Sequence, residues 1–254
     1  IGLLNARAIG FPAALAISSW SGVGTSLLVF MASIDLRIAA LFALSLVALL
    51  YLGALHRHDA GRRTTELLLA IGVTFLGLAM LKDQGHVLEH NGWAREFFTF
   101  SSESWVYGFL IGLVVTLVMQ SSSTVSILAV AMSATGLLPV RDAIVLVCGA
   151  NLGSGLSVAL VSAHLTGLPR QLALWQAVVK GLGSAALLAL ALLLFTTGLI
   201  DSHVAELAPV PTIIAISYLL LNVAGAVLSR AFRAPLIRLL AKMAPEDAAR
   251  QQFE

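Results

Sequence analysis

The 254-residue chain is 59% hydrophobic and 11% charged, with a formal net charge of +2 and a mean hydropathy of +0.95. A soluble globular domain carries about 25% charged residues, so this composition cannot clothe a water-facing surface and excludes a soluble domain. The small charge sits in loops between apolar runs, which argues against nucleic acid as a partner and for a lipid bilayer.

The chain opens at Ile1, inside an apolar segment with no charged leader before it, and reads as a fragment of a longer protein. Ile9 to Ile17 is apolar and holds Pro12. A small, polar stretch from Ser18 to Ser26 follows, with Ser21, Gly22, Gly24 and Thr25, and Leu27 to Ile34 is apolar again. Ile38 to Leu55 and Leu67 to Leu81 are clean spans that approach or reach the ~18–20 residues a bilayer core requires. The loop between them carries Arg57, Arg62 and Arg63 against Asp59. Lys82 to Ser104 is polar, with Asp83, Glu89, Glu96 and Glu103. Its aromatics Trp93, Phe97, Phe98 and Phe100, with Trp105 after it, suit a segment lying at a membrane interface.

Trp105 to Met119 is apolar and stops at Gln120-Ser121-Ser122-Ser123-Thr124, after which Val125 to Ala134 resumes. Ala143 to Cys148 is interrupted by Gly149-Ala150-Asn151-Leu152-Gly153-Ser154-Gly155 and continues from Leu156 to Ala163. Gly181 to Ile200 and Ile213 to Leu228 are clean spans on either side of an acidic turn with Asp201, His203 and Glu206. Arg230, Arg233, Arg238 and Lys242 follow with no acid among them. Cys148 is the one cysteine, so no intrachain disulfide forms.

The excess of Lys and Arg near span ends places the 56–63 loop and the C-terminus in the cytoplasm and the 82–104 and 201–208 segments outside. This is the topology of a multi-pass protein of the cell (inner) membrane. An internal repeat is visible as well. Gly2-Leu3-Leu4-Asn5-Ala6-Arg7 parallels Gly136-Leu137-Leu138-Pro139-Val140-Arg141, and Gly22-Val23-Gly24-Thr25-Ser26-Leu27 parallels Asn151-Leu152-Gly153-Ser154-Gly155-Leu156. An odd number of crossings between the copies inverts the second. The fold class that follows is all-α: a polytopic integral membrane protein with inverted repeats and broken or re-entrant helices.

Gln120 to Thr124 places five hydrogen-bonding side chains in a row between apolar runs. In hydrocarbon each unsatisfied polar group costs several kcal/mol, so the run faces protein, water or a ligand. Hydroxyls both donate and accept, and a helix restarting at Val125 would turn free N–H groups and its positive end toward an anion. Carbonyls freed at such a break, with Ser and Thr oxygens, suit Na⁺. The bland reading is that Ser and Thr pack at helix contacts and bond back to their own helix; five in a row, with a second polar break at Asn151, favour the site.

Other signals are weaker. His86-Val87-Leu88-Glu89-His90 fits a zinc-peptidase spacing but reads as a solvated loop. Gly149 to Gly155 lacks the Lys-Ser or Lys-Thr of a nucleotide loop. Lys180 reads as a snorkelling anchor before its span, or more sharply as a charge on an anion pathway or in place of a bound cation. Arg141-Asp142 reads as a local ion pair at a hairpin tip.

The Gln120-Ser121-Ser122-Ser123 and Gly149-Ala150-Asn151-Leu152-Gly153-Ser154 pair resembles the Gln-Ser-Ser-Ser and Gly-Ala-Asn-Ile-Gly-Thr-Thr pair of type II sodium–phosphate cotransporters, most closely their bacterial, YjbB-like branch. The resemblance implies a partial first transport repeat with an external interfacial segment over 1–100, a second transport repeat over 101–244, and a polar cytoplasmic tail over 245–254. It implies that Gln120, Ser121, Ser122, Ser123, Thr124 and Asn151 contact phosphate. Ser154 and Ser157, with Thr25 and Ser21 of the first repeat, would contact Na⁺. The first Gln-Ser-Ser motif is absent, Gly22 stands where Asn is expected, and Ser154-Gly155 replaces a Thr pair.

The function so implied is secondary transport of inorganic phosphate, as uptake or efflux, coupled to Na⁺, with transported ions and no cofactor. The chain holds no convincing nucleophile–base or metal constellation and is not read as an enzyme. The alternative is a non-transporting membrane subunit that senses phosphate or docks a soluble regulator, a cytoplasmic PhoU-like domain or protein.

Overall fold

A computed structural model describes residues 2–5, 8–34, 37–53, 59–102, 104–197 and 208–245. The acidic turn around Asp201, the tail after 245 and the side chains of His86 and Glu89 lie outside the described residues. Among the described residues every regular element is a helix: α1 (Gly2–Asn5), α2 (Phe11–Ser33), α3 (Arg37–Leu52), α4 (Asp59–Glu89), α5 (Gly92–Ser102), α6 (Trp105–Met119), α7 (Ser122–Ala134), α8 (Val140–Val161), α9 (Gly167–Thr196), α10 (Val210–Ala231) and α11 (Arg233–Met243). Helices satisfy their own backbone, which hydrocarbon demands. Five of them, or windows within them, are long and apolar enough to cross a bilayer: Phe11–Ser33, Gly61–Leu81, Val140–Val161, Gly167–Thr196 and Val210–Ala231. Large apolar side chains such as Ile38, Phe42 and Leu52 stay exposed on the outside of the bundle, as a lipid-facing surface requires.

Two of the three breaks read from the sequence are not breaks. Ser18 to Ser26 lies inside α2 and Gly149 to Gly155 inside α8, both uninterrupted. Gly22, Gly149, Gly153 and Gly155 serve contact instead. A Cβ at Gly149 would overlap the Phe109 carbonyl oxygen, one at Gly153 would press on Leu113 and Thr116, and one at Gly112 would overlap the Leu146 carbonyl. Small residues let membrane helices approach backbone to backbone, so these positions form a seam between α6 and α8.

The seam also fixes direction. Residue 109 meets 149 and 113 meets 153, so α6 and α8 run parallel. The short turn at 135–139, with Gly136 at φ 79°, reverses α7 onto α8. Helices α6 and α7 are therefore the two arms of a hairpin with its tip at Gln120–Ser121. Arms of 15 and 13 residues reach only about 22 and 20 Å, short of the ~30 Å hydrocarbon core. The hairpin is re-entrant.

The two copies of the repeat run in opposite directions. Gly22, Ser26 and Ser19 of α2 meet Asn222, Tyr218 with Asn222, and Ser229 of α10, so α2 and α10 are antiparallel. Gly183 and Gly225 pair α9 antiparallel to α10, and Asn151 and Ser154 pair α8 antiparallel to α9. It follows that α2 opposes α8, the inversion expected. The main apolar core gathers Val29, Leu78, Val130, Val147 and Tyr218 from α2, α4, α7, α8 and α10.

Two further expectations are corrected. The span placed at 181–200 falls, over its described residues to Thr196, within α9, which begins at Gly167, so Lys180 lies near the middle of a helix rather than at its end. The His86–His90 stretch is the last turn of α4 and the turn after it, not a loop; Leu, Lys, Gln and Glu are good helix formers and carry α4 past its apolar part. Arg141, beside Asp142 in the first turn of α8, also lies over the Phe195 ring, 5.2 Å from its centroid. Beyond α4, α5 turns Phe98 into the core and leaves Trp93, Phe97 and Phe100 exposed, and Phe100 stacks on Tyr107 of α6.

Candidate functional site

The hairpin tip is built by two capping residues. Gln120 adopts the left-handed conformation, φ 55° and ψ 21°, and its N–H closes α6 on the Thr116 carbonyl at 2.7 Å. Ser121 is extended and caps α7: its Oγ accepts from the Thr124 N–H at 3.3 Å and lies 2.8 Å from Thr124 Oγ1. The cap satisfies the N–H of Thr124. The N–H groups of Ser122 and Ser123, in the same first turn, cannot be satisfied within the helix. Gln120 is exposed, Ser121, Ser123 and Thr124 are partly buried, and Ser122 is buried. The Ser122 hydroxyl shares a 3.0 Å hydrogen bond with the Tyr218 hydroxyl, near the middle of α10.

Tyr218 begins a polar line through α10 to α2. Its carbonyl accepts from Asn222 Nδ2 at 2.8 Å, and that same amide donates to Ser26 Oγ at 3.0 Å. Ser26 also reaches the Gly22 carbonyl. A side chain at position 22 would overlap Asn222 Oδ1. Glycine stands at 22, where the repeat leads one to expect Asn, because an amide from α10 already fills that space.

The second cluster lies between α8 and α9. Asn151 is fully buried; its Nδ2 donates to the Lys180 carbonyl at 3.1 Å and to Ser184 Oγ at 3.3 Å, while its Oδ1 has no partner. Lys180 Nζ donates to Ser154 Oγ at 2.7 Å. Thr116 Oγ1 and Ser126 Oγ, on the two arms of the hairpin, are likewise buried without a partner. Asn151 and Ser154 thus face α9, whereas Ser122 faces α10, and among the described residues no hydrogen bond joins the two clusters.

The other hydroxyls expected to hold a cation stand apart. Ser157 bonds back to the Gly153 carbonyl at 2.9 Å. Thr25 and Ser21 are exposed and bond back to Gly22 and Ser18. Ser21 lines a cleft of ≈ 260 Å³ among α2, α8 and α9, together with Ser18 and Gln176. The inward-facing hydroxyl of the first copy is Ser26. Sequence reading passed over Ser26, at the end of a polar stretch beside Thr25, and over Tyr218, Asn222 and Ser184, polar residues within apolar runs. The four-residue spacing of Tyr218 and Asn222, which puts both on one helix face, was the available signal.

A family model described as Na⁺/Pi-cotransporter matches residues 1–83 and 90–222. Sodium-dependent phosphate transport protein 2B from Homo sapiens is 39% identical over 71 residues, which is 27% of this chain and 10% of that protein. The protein of the same name from Pongo abelii matches to the same extent. The aligned segment therefore spans about a tenth of the length of these relatives. No solved structure matches the chain.

Proposed function

Because this chain belongs to the Na⁺/Pi-cotransporter family, we propose that it forms the phosphate-binding half of a transporter that moves inorganic phosphate with Na⁺. The observation that carries the reading is the re-entrant tip. There the free N–H groups of Ser122 and Ser123 and the positive end of α7 stand beside the hydroxyls of Ser121, Ser122 and Thr124, at the tip of a hairpin too short to cross the bilayer. These are neutral donors, which suit an oxyanion that must be released on the far side. Asn151 adds a buried amide whose Oδ1 is unpartnered. Cation-binding oxygens come from Ser157 in the second copy and Thr25 and Ser21 in the first, while the Ser154 hydroxyl is already taken by the Lys180 ammonium. Arg62 and Arg63 at the start of α4, together with the basic α11, mark the cytoplasmic side of the inner membrane.

Labelled-phosphate uptake into vesicles containing the full-length protein tests this. A hydrogen bond to a charged group contributes about 1.5–3 kcal/mol, so Ser122→Ala should lower phosphate affinity on the order of 10- to 100-fold, and excess Na⁺ should not restore it. Uptake by this variant equal to that of the wild type would remove Ser122 from the site.

A further inference from the structure

We propose that the ammonium of Lys180 is a built-in cation, tethered at Ser154 in a place that an exchangeable cation would otherwise take. This deepens the transport reading and rests on it for its meaning. Lys180 lies near the middle of α9, in one of the helices long and apolar enough to cross the bilayer. An ammonium within a membrane-spanning helix is rare because it is costly to insert, and it ordinarily pairs with an acid or reaches for the interface. Lys180 does neither. Its Nζ is directed at the neutral Ser154 Oγ, 2.7 Å away, and no carboxylate among the described residues pairs with it.

Two oxygens of α8 are of the kind a cation takes, one of them in contact with the ammonium. Ser154 supplies a hydroxyl oxygen. One turn earlier on α8, Asn151 carries a fully buried Oδ1 without a partner, and its amide is held on the α9 backbone by the Lys180 carbonyl and on Ser184. Gly155 makes room for the lysine: a Cβ there would stand 3.0 Å from Ala177 Cα and 3.2 Å from Lys180 Cβ. A hard monovalent cation and an ammonium ask for the same thing, several oxygen acceptors around one positive charge. The difference is that the ammonium cannot leave. A charge that stays with the protein supports an anion nearby on every cycle but carries no gradient energy, so Lys180 reduces by one the Na⁺ bound per chain.

Equilibrium binding of ²²Na⁺ to the purified full-length protein counts the cations directly. Ser154→Ala alone should leave the number bound unchanged. Lys180→Ala, or Lys180→Met if the smaller side chain unfolds the protein, should bind one Na⁺ more per chain than the wild type. That extra ion should vanish in the double variant with Ser154→Ala, and Lys180→Arg should not bind it. The proposal is overturned if Ser154→Ala loses a Na⁺, if neutral variants at 180 gain none, or if the gain persists without Ser154. Phosphate uptake is a separate readout: a wild type that moves no phosphate would sink the transport reading, and the ion count would still decide the role of Lys180.

Discussion

Gln120–Thr124 and Gly149–Gly155 look alike as sequence, each a polar, small-residue interruption of an apolar run, yet one reverses the chain and the other is straight helix. The difference lies in what each segment offers the backbone. At 120–121 a left-handed residue ends one helix and a serine hydroxyl caps the next, so the break is capped on both sides and only the N–H groups of Ser122 and Ser123 are left over. At 149–155 no side chain caps anything, and breaking the helix would leave backbone groups bare in hydrocarbon. Glycine there does the opposite of breaking: it brings the Phe109 and Leu113 carbonyls into contact with α8. In a membrane, a run of glycine without a cap is a contact surface; a serine that can cap, next to a residue that can turn left-handed, is a break.

The comparison can be broken most forcefully at the contact surface. Gly149→Val forces side-chain atoms onto the Phe109 backbone, which has no rotamer with which to yield, and should cost about 3 kcal/mol, read from unfolding in mixed micelles. If Gly149 were a hinge in an interrupted helix, the same change would be tolerated. Gly22→Ala should cost about 2 kcal/mol by the same measure, and adding Asn222→Ala should return a large part of it, since the clash is with that one amide. Purely additive costs would show that Asn222 does not occupy the space above Gly22.

The capping side predicts smaller numbers. Ser121→Ala removes the acceptor for the Thr124 N–H and should destabilise by about 1 kcal/mol, whereas Ser157→Ala, whose hydroxyl only bonds back within α8, should change stability little. Gln120→Gly relieves the left-handed strain, worth about 1–2 kcal/mol, against about 0.5–1 kcal/mol of added chain entropy in the unfolded state, and should be neutral to slightly stabilising. Phosphate affinity should fall in the same variant if the Gln120 side chain contacts the anion, so stability and binding would move in opposite directions.

Much of this was legible before the structure. Composition and the length of the apolar spans gave the all-α membrane class, and Gln120 to Thr124 announced a break because it holds both a cap and enough polarity to forbid lipid contact. What was not legible turned on partners. Gly149 and Gly22 carry no mark telling a seam from a hinge; that depends on the carbonyl or amide across the interface. Lys180 was read as the end of a span because charge normally ends spans, and only its bond to Ser154 explains a charge in the middle of one. Ser26 escaped notice beside the exposed Thr25 because which of two adjacent hydroxyls faces inward depends on the rotation of α2.

The seam between α6 and α8 has a calorimetric consequence. Lipid tails are as apolar as leucine, so bringing these helices together releases no water; the contact rests on dispersion and on Cα–H···O approaches at Gly112, Gly149 and Gly153. Water-driven burial weakens on cooling and carries a large heat-capacity change, and this contact does neither. Separation of the hairpin from α8 within the bilayer should therefore show a nearly flat enthalpy with temperature, and the arm that carries Gln120 should sit as firmly in a cold membrane as in a warm one.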